Sequence, residues 1–348
     1  MLNIPILALA CAVTAASWAM TGALRRRALA RGRLDMPNRR SSHAVPTPRG
    51  GGLAIVLAAY AAFLVLFLLG RLPGSLLLAL LGGVPVAAIG FRDDHKPVSA
   101  RVRLTVHFAA ASWSLAWLGG VPALQIGGSM VSLGVPGVLF GAVAIVWTIN
   151  LFNFMDGIDG IASAEAIFVL GAAAGLSLWS GSSSPLVPAE LLLAAACAGF
   201  LYWNWPPARI FMGDVGSGYL GYTIAVFALA AGRHRPEAPF VWLTLGAVFF
   251  VDATVTLARR ALRGERVHEA HRSHGYQWLA RRWDSHLRAT AAVTIMNFAW
   301  LLPVAYLETK EAREAGWLTA VTLAALTLVA LWAGSGRGES RLDSRDPA

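Results

Sequence analysis

The stretch Asn150-Leu-Phe-Asn-Phe-Met-Asp-Gly-Ile-Asp-Gly160 places two carboxylates, two carboxamides and two glycines between long apolar runs. These runs, at about 136–152 and 160–180, are long enough to cross a lipid bilayer. Polar side chains at a bilayer cost free energy and persist where they handle a substrate, an ion or a proton. The stretch therefore predicts a membrane-spanning fold with a polar site at a helix end.

The composition of the whole chain agrees with a membrane protein. Of its 348 residues 56% are hydrophobic and only 14% are charged, whereas a soluble domain carries roughly 25% charged residues. The formal charge of +10 suits anionic lipid or a phosphorylated substrate, and an integral membrane chain makes nucleic acid the least favoured partner. Cys11 and Cys197 both lie in apolar runs, which excludes a disulfide framework and a cysteine zinc cluster.

Apolar runs separated by loops predict an all-α polytopic fold with about eleven transmembrane helices, forming one membrane domain over 1–334 and a disordered cytoplasmic tail over 335–348. The predicted spans are about 2–24, 51–70, 74–91, 102–119, 136–152, 160–180, 186–203, 216–232, 239–262, 287–306 and 316–334.

The basic residues predict how these spans are oriented. With the N-terminus extracytoplasmic and the C-terminus cytoplasmic, 24 of the 29 lysines and arginines fall in cytoplasmic segments, as the positive-inside rule requires. Arg25, Arg26 and Arg27 follow the first apolar run instead of preceding it. We therefore expect a retained helix there and not a cleaved signal peptide.

Four polar clusters fall on the predicted cytoplasmic face, which suggests that they form one site. They are Arg92–Lys96, Asn150–Gly160, Asn204–Gly218 and His268–Gln277. Each cluster also has a structural interpretation: a solvated helix end, an Asp-Gly turn, a capped helix start and a basic loop, respectively.

The spacing within the first three clusters indicates particular roles. Asn150, Asn153 and Asp156 recur every three residues, so they would share one flank of a helix end, with Asp159 continuing the row. In the stretch Phe211–Gly218, glycines and a serine at a helix start can present N–H groups to phosphate. An aspartate there can give a hard oxygen to Mg²⁺.

Two further features leave alternatives open. His268, His271 and His274 are three residues apart with Arg272 among them, which suits an anion better than a metal ion. Asp252, inside the ninth span, is either a buried structural carboxylate or part of a pocket wall.

Together these residues resemble the polyprenyl-phosphate N-acetylhexosamine-1-phosphate transferases, glycosyltransferase family 4, over roughly residues 35–280. The matching elements are Ser41-Ser-His43, Pro46-Thr-Pro-Arg49-Gly-Gly-Gly52, Asp93-Asp94, Asn150-x-x-Asn153-x-x-Asp156-Gly-x-Asp159-Gly160, Asn204, Phe211-Met-Gly-Asp214-x-Gly-Ser217, Asp252 with Arg259-Arg260, and the histidine loop.

The resemblance implies an enzyme that transfers a sugar-1-phosphate from a UDP-N-acetylhexosamine to polyprenyl phosphate and releases UMP. It implies Mg²⁺ as cofactor, with Mn²⁺ as a substitute, in a bacterial inner membrane with the active site on the cytoplasmic face. Expected partners are the lipid acceptor, the UDP-sugar, membrane lipids and a second copy in a homodimer. The implied catalytic residues are Asp93, Asp94, Asp156 and Asp159. The implied metal ligands are Asp214 and Asp94. The residues implied to contact the substrates are Asn150, Asn153, Asn204, His271, Arg272, His274, Ser217, Arg49 and His43.

The histidine loop departs from the clustered histidines of the muramoyl-pentapeptide translocases. It looks more like the branch that initiates O-antigen in lipopolysaccharide synthesis. The attack could be direct or pass through a covalent intermediate. Rival functions are a secondary transporter or lipid flippase, and a CDP-alcohol phosphotransferase.

Overall fold

The computed structural model describes residues 4–37, 42–43, 45–181, 184–265 and 271–338. The helices are α1 (Ile4–Ala30), α2 (Gly52–Leu68), α3 (Gly74–Leu81), α4 (Gly83–Asp93), α5 (Ala100–Leu118), α6 (Gly134–Met155), α7 (Ile161–Trp179), α8 (Leu186–Asn204), α9 (Asp214–Gly232), α10 (Ala238–Leu245), α11 (Ala247–Leu262), α12 (Gly275–Arg282), α13 (His286–Met296), a π-helical turn (Asn297–Leu301), α14 (Leu302–Lys310) and α15 (Ala315–Ala333). Two short antiparallel ladders join β1 (Leu34–Asp35) to β2 (Thr47–Pro48) and β3 (Leu124–Ile126) to β4 (Ser129–Val131).

The all-α polytopic fold predicted from the apolar runs is confirmed. Within the described residues, eight helical stretches are long and apolar enough to cross a membrane. The pair α10–α11, bent by 72° around Gly246, makes a ninth if it counts as one span. The two other predicted spans are also helical, as α2 and α5. The exact number of spans and their orientation stay predictions.

Helix α9 lies at the centre of the bundle, and nearly all of its residues are buried. It packs against α2, α4 and α6. A Cβ atom on Gly52 would come within 2.4 Å of Gly216 Cα, so α2 and the start of α9 touch backbone to backbone. Small residues that admit such contacts are the usual basis of helix packing in lipid. This packing fixes where the start of α9 sits.

The two ends of the bundle differ in chemistry. At one end, Arg235 pairs with Glu237 and donates to Ser180 and to the Thr309 carbonyl, close to the predicted extracytoplasmic loops. The other end carries the start of α9 and the ends of α4, α6 and α8, where the acidic residues lie.

The described residues after Gly334 pack against the bundle. Ser335 is buried and donates a hydrogen bond of 2.7 Å to the Asp252 carboxylate. Disorder was predicted over 335–348; residues 335–338 are instead packed on the bundle, and residues 339–348 lie outside the described residues.

Candidate active site

The two aspartates at the end of α4 serve different contacts. Asp93 accepts the Val98 amide at 2.6 Å and pairs with Arg103. Asp94 accepts the backbone amides of Asp214 at 2.9 Å and Val215 at 3.2 Å. Asp94 is thus the cap of α9, supplied by a different helix.

This capping corrects one expectation. The sequence suggested that the start of α9 can present its backbone N–H groups to phosphate. Instead the first two amides of α9 donate to Asp94, and those of Gly216 and Ser217 donate to the Gly213 carbonyl, each at 3.1 Å. A carboxylate is a strong partner for the positive end of a helix, so in this structure the start of α9 is already occupied.

Two arginines lie among the acids. Arg49 Nε is 2.8 Å from Asp94 Oδ1, and its terminal nitrogen is 2.5 Å from Asp214 Oδ1. Arg103 approaches the other oxygen of Asp214 at 3.7 Å. Asp214 therefore sits between two guanidinium groups. In the sequence, Arg49 belonged to a recognised motif, whereas no motif pointed to Arg103.

Burial and these contacts shift the pKa values of the charged side chains at the site. Burial raises the pKa of Asp94 to about 6, although Arg49 opposes that shift. Burial alone would lower the pKa of Arg49, but the Asp214 and Asp94 carboxylates raise it above its ordinary value. Arg49 therefore stays cationic and partly neutralises the cluster.

The Asn150–Gly160 stretch divides between helix and turn. Asn150 donates to the Val146 carbonyl of its own helix at 2.7 Å, whereas Asn153 donates to Ser217 Oγ at 3.2 Å and so joins α6 to α9. Helix α6 ends at Met155, and Asp156 is its C-cap. Burial raises the pKa of Asp156 well above its ordinary value, while Arg49 opposes the shift.

Asp159 does not continue the helical row that the spacing predicted, because α6 has ended four residues earlier, at Met155. Its carboxylate accepts the Ala208 amide at 3.0 Å and lies 3.2 Å from His286 Nδ1. His286 Nε2 lies 2.9 Å from the Ser42 carbonyl. Asp159 thus holds two loops together, and no motif in the sequence pointed to His286.

Asn204 uses both groups of its side chain within the protein. Its oxygen accepts the Gly160 amide at 3.0 Å, and its nitrogen donates to the Ile210 carbonyl at 3.0 Å. It fixes the loop between α8 and α9 beside the turn that follows α6.

The histidine loop is folded onto the bundle. His274 is 1% exposed, and its ring stacks on His271 at a centroid distance of 4.9 Å. Burial lowers the pKa of His271 to about 3, and His274 and Arg260 add to the shift. Asp252 accepts the amides of Gly275 at 2.9 Å and Tyr276 at 3.1 Å, so it is a structural anchor of α12. His268 lies outside the described residues.

Helix α12 reaches the site through its first turn. The Tyr276 hydroxyl donates to the Phe154 carbonyl at 2.9 Å. Gly157 makes room for this contact, since a Cβ there would lie 2.2 Å from Tyr276 Oη and 2.8 Å from Gln277 Nε2. Gln277 lines the main cavity described next, whereas His271, Arg272 and His274 do not.

A cavity of about 240 Å³ opens beside these groups. A second cavity of about 530 Å³ adjoins it and shares Phe211, Gln277 and His286 in its wall. The rings of Phe211 and His43 lie 4.8 Å apart. The main cavity is lined by Asp35, Ser42, His43, Arg49, Asn153, Asp156, Gly157, Ile158, Asp159, Asn204, Phe211, Met212, Gly213, Asp214, Gln277 and His286.

Sequence comparisons agree with this geometry. Residues 76–232 match glycosyl transferase family 4. A probable undecaprenyl-phosphate N-acetylglucosaminyl 1-phosphate transferase of Bacillus subtilis is 28% identical over 80% of this chain and 78% of its own. A decaprenyl-phosphate N-acetylglucosaminephosphotransferase of Mycobacterium leprae is 30% identical over 78% of this chain and 74% of its own. This chain belongs to glycosyl transferase family 4.

Another relative extends the same comparison. A phospho-N-acetylmuramoyl-pentapeptide-transferase of Saccharopolyspora erythraea is 32% identical over 61% of this chain and 70% of its own. The family 4 chain is therefore an enzyme of the phospho-sugar transferase class, and the resemblance inferred from its motifs is confirmed.

The acids of this family 4 member fit a magnesium ion. No group of three or more histidine, cysteine or acidic side chains converges as a ready-made metal site within the described residues. Mg²⁺, however, usually takes one or two carboxylates together with substrate phosphates. Asp214 and Asp156 line the cavity and suit that role. The expected role of Asp94 as a ligand stays a prediction; both of its oxygens accept a backbone amide, whereas Asp214 lines the cavity.

Proposed function

We propose that this family 4 enzyme transfers an N-acetylhexosamine-1-phosphate from a UDP-sugar to a polyprenyl phosphate and releases UMP. The reaction would take place at the cytoplasmic face of a bacterial inner membrane and begin a lipid-linked glycan. One observation carries the proposal: acids from three separate helix ends meet two arginines at one end of a membrane bundle, beside a cavity.

Charge explains why such a cluster suits this reaction. Donor and acceptor are both anionic phosphates, so they repel each other until part of their negative charge is neutralised. Arg49 and Arg103 bring two fixed positive charges to the acids. Mg²⁺, when bound, supplies further neutralisation of the diphosphate and of the departing UMP. Asp214 and Asp156 would hold the ion, and Asn153 would orient Asp214 and the donor.

The aromatic wall of the cavity suggests how the donor lies. Phe211 and His43 offer ring faces on which a pyrimidine base can stack. Asp214 lies three residues beyond Phe211, so the diphosphate would point towards the acids and the base towards the rings. Gln277 and the Asp159–His286 pair complete the wall between them.

The acceptor can attack without a general base. A phosphate monoester has a second pKa of about 6 and is largely dianionic at neutral pH. Asp93, which accepts from the Val98 amide and pairs with Arg103, would orient this phosphate through the Arg103 guanidinium. We therefore propose direct attack. Enzyme incubated with UDP-sugar but no lipid should then release no UMP, whereas stoichiometric release or a trapped adduct would establish a covalent intermediate.

A transfer assay tests the proposal as a whole. Purified enzyme is given undecaprenyl phosphate and a UDP-N-acetylhexosamine labelled in the β-phosphate, with UDP-GlcNAc, UDP-GalNAc, UDP-FucNAc and UDP-QuiNAc as the panel. Label should enter extractable lipid with an equal amount of UMP for one or more donors. Transfer from a CDP-alcohol, or transport with no labelled lipid, would replace the proposal by one of its rivals. A transporter is disfavoured because transport sites lie near the bilayer midplane, whereas these acids lie at one end.

A further inference from the structure

A tryptophan near the end of α8 is wedged against α1, away from the cavity. Trp203 Nε1 donates to the Trp18 carbonyl at 3.0 Å, and the two indoles stack at a centroid distance of 6.1 Å. Gly22 leaves the necessary space, because a Cβ there would lie 2.9 Å from the Trp203 ring. The indole of Trp203 is thus a fixed surface between two helices.

Two arginines from different segments share this surface. The Arg25 guanidinium carbon lies 5.9 Å from the Trp203 ring centroid, and that of Arg209 lies 5.8 Å from the same centroid. Arg209 also lies 5.5 Å from the Tyr202 ring. Arg25 Nε donates to the Arg209 carbonyl at 3.2 Å. Cation–π contacts therefore hold both guanidinium groups against the Trp203 ring, and the hydrogen bond ties the Arg25 side chain to the backbone of Arg209.

Neither arginine forms an ion pair with the carboxylates that the structure describes. The surroundings are those of a membrane interface, since Trp18, Tyr202 and Trp205 are 45%, 56% and 46% exposed. Tryptophan and tyrosine concentrate at the level of lipid headgroups. Among the described residues, the cluster is thus an arginine pair without an acidic partner, flanked by exposed aromatic side chains of the kind found at membrane interfaces.

We infer that Arg25 and Arg209, mounted on Trp203, bind the phosphodiester headgroup of an anionic phospholipid. Planar guanidinium groups match phosphate oxygens with paired N–H donors and are weakly hydrated, which suits an interface. A basic pocket between transmembrane helices is a setting in which acidic lipid headgroups bind. The bulk bilayer provides this lipid, so the inference does not rest on the proposed function.

The loop that carries Arg209 connects this site to the cavity. The Arg209 amide donates to the Trp203 carbonyl at 2.8 Å. One residue earlier, the Ala208 amide donates to Asp159, and two residues later Phe211 lines the cavity wall. A headgroup bound to Arg209 would therefore stabilise the backbone that shapes the cavity, and the enzyme should be more stable in anionic lipid than in zwitterionic lipid.

Lipid binding to a matched set of variants tests the inference. The full chain is placed in nanodiscs of phosphatidylcholine with or without phosphatidylglycerol, and its thermal midpoint is measured. Arg25→Gln/Arg209→Gln removes the pair. Arg31→Gln/Arg33→Gln removes the same charge from exposed residues just beyond α1, which contact none of the aromatic rings that the structure describes. Phosphatidylglycerol should raise the midpoint of the wild type and of the control by several degrees, and should raise that of the paired variant far less.

Native mass spectrometry of the folded fraction provides a second readout if the double variant is poorly stable. One phosphatidylglycerol adduct should be retained by the wild type and by the control. Arg209→Gln alone, which leaves α1 unchanged, should weaken that binding roughly tenfold, the loss expected for charge-assisted hydrogen bonds. Equal shifts and equal adducts in all variants would overturn the inference, because they would assign the lipid effect to diffuse positive charge.

Discussion

The carboxylate of Asp214 is shared between Arg49 and Arg103 and lines the cavity. Replacing it by asparagine keeps the shape of the side chain and removes its negative charge. We expect Asp214→Asn to lower turnover by at least about 100-fold, as for the loss of a group that stabilises transition-state charge. The variant should still elute as folded protein, and substantial turnover at ordinary Mg²⁺ concentrations would contradict the metal assignment.

Arg49 occupies one oxygen of Asp214 in this structure, so it competes with a metal ion for that oxygen. Arg49→Gln should therefore bind Mn²⁺ more tightly, because a cation that repels the metal has gone. Turnover should nevertheless fall, because the diphosphate loses a neutralising partner. Electron paramagnetic resonance of free Mn²⁺ measures the affinity directly. Weaker Mn²⁺ binding in the variant would show that Arg49 organises the site and does not compete for it.

His271 should make the fold sensitive to mild acid. Burial lowers its pKa from 6.5 to about 3, so between these values the unfolded chain binds more protons than the folded one. Stability is then fully present above about pH 6.5 and falls as the pH drops towards 3. In His271→Asn, the thermal midpoint should fall less steeply from pH 7.5 to 4.5. Parallel curves for variant and wild type would refute the shift.

Residue types and spacing identified most of the acids but not all of their partners. Asp214, Asp156 and Asn153 were predicted together and are brought together. His286 could not be found, because a histidine at the start of an apolar span has no local signal. Its contact with Asp159 depends on a turn that the helical spacing did not reveal.

At the scale of the element, the start of α12 is held by the Asp252 carboxylate, and Gln277 Oε1 also accepts the His274 amide at 3.3 Å. Asp252 accepts the first two amides of α12 and the hydroxyl of Ser335. Asp252→Ala should lower the free energy of unfolding by about 3 kcal/mol or more, because several buried hydrogen bonds to a charged group are lost. Glu311→Gln, at an exposed residue, is the control. Thermal midpoints in one detergent compare them, and an unchanged midpoint for Asp252→Ala would contradict the anchoring role.

Two adjacent arginines at the end of α12 look alike in the sequence but lie in different surroundings in the structure. Arg281 and Arg282 both look like determinants of topology. In the structure Arg281 lines the second cavity, the wider of the two, whereas the guanidinium carbon of Arg282 lies 5.2 Å from the centroid of the Trp278 ring. Arg281→Gln should raise the KM for the UDP-sugar several-fold, and Arg282→Gln should leave it nearly unchanged. Equal effects of the two substitutions would show that the wider cavity takes no part in donor binding.

Helices were predictable because lipid imposes long apolar runs, which are readable one segment at a time. The breaks within helices and the caps at their ends were not predictable, because they depend on residues that are distant in the sequence. The start of α9 illustrates this, since its amides are capped by Asp94 from α4.

At the scale of the whole molecule, the distribution of basic residues along the sequence was the pattern that grouped the polar clusters into one predicted site. Assigning the basic residues to one face placed four polar clusters on that same face. The structure brings acids from α4, the end of α6 and α9 to one end of the bundle, around one cavity. The described part of the histidine loop packs on Asp252, and Gln277 is the residue of it that lines the cavity.

A shared cytoplasmic site is the central claim, and labelling from each side of the membrane tests it most directly. Cysteines are placed beside the acids at Lys96 and Trp205, and at the far end at Gly128, in a background in which the exposed Cys11 is serine. A membrane-impermeant maleimide should modify Lys96→Cys and Trp205→Cys only in inverted vesicles, and Gly128→Cys only in intact cells. Modification of Lys96→Cys and Trp205→Cys from opposite sides would contradict the account, because the acids could not then share one pocket.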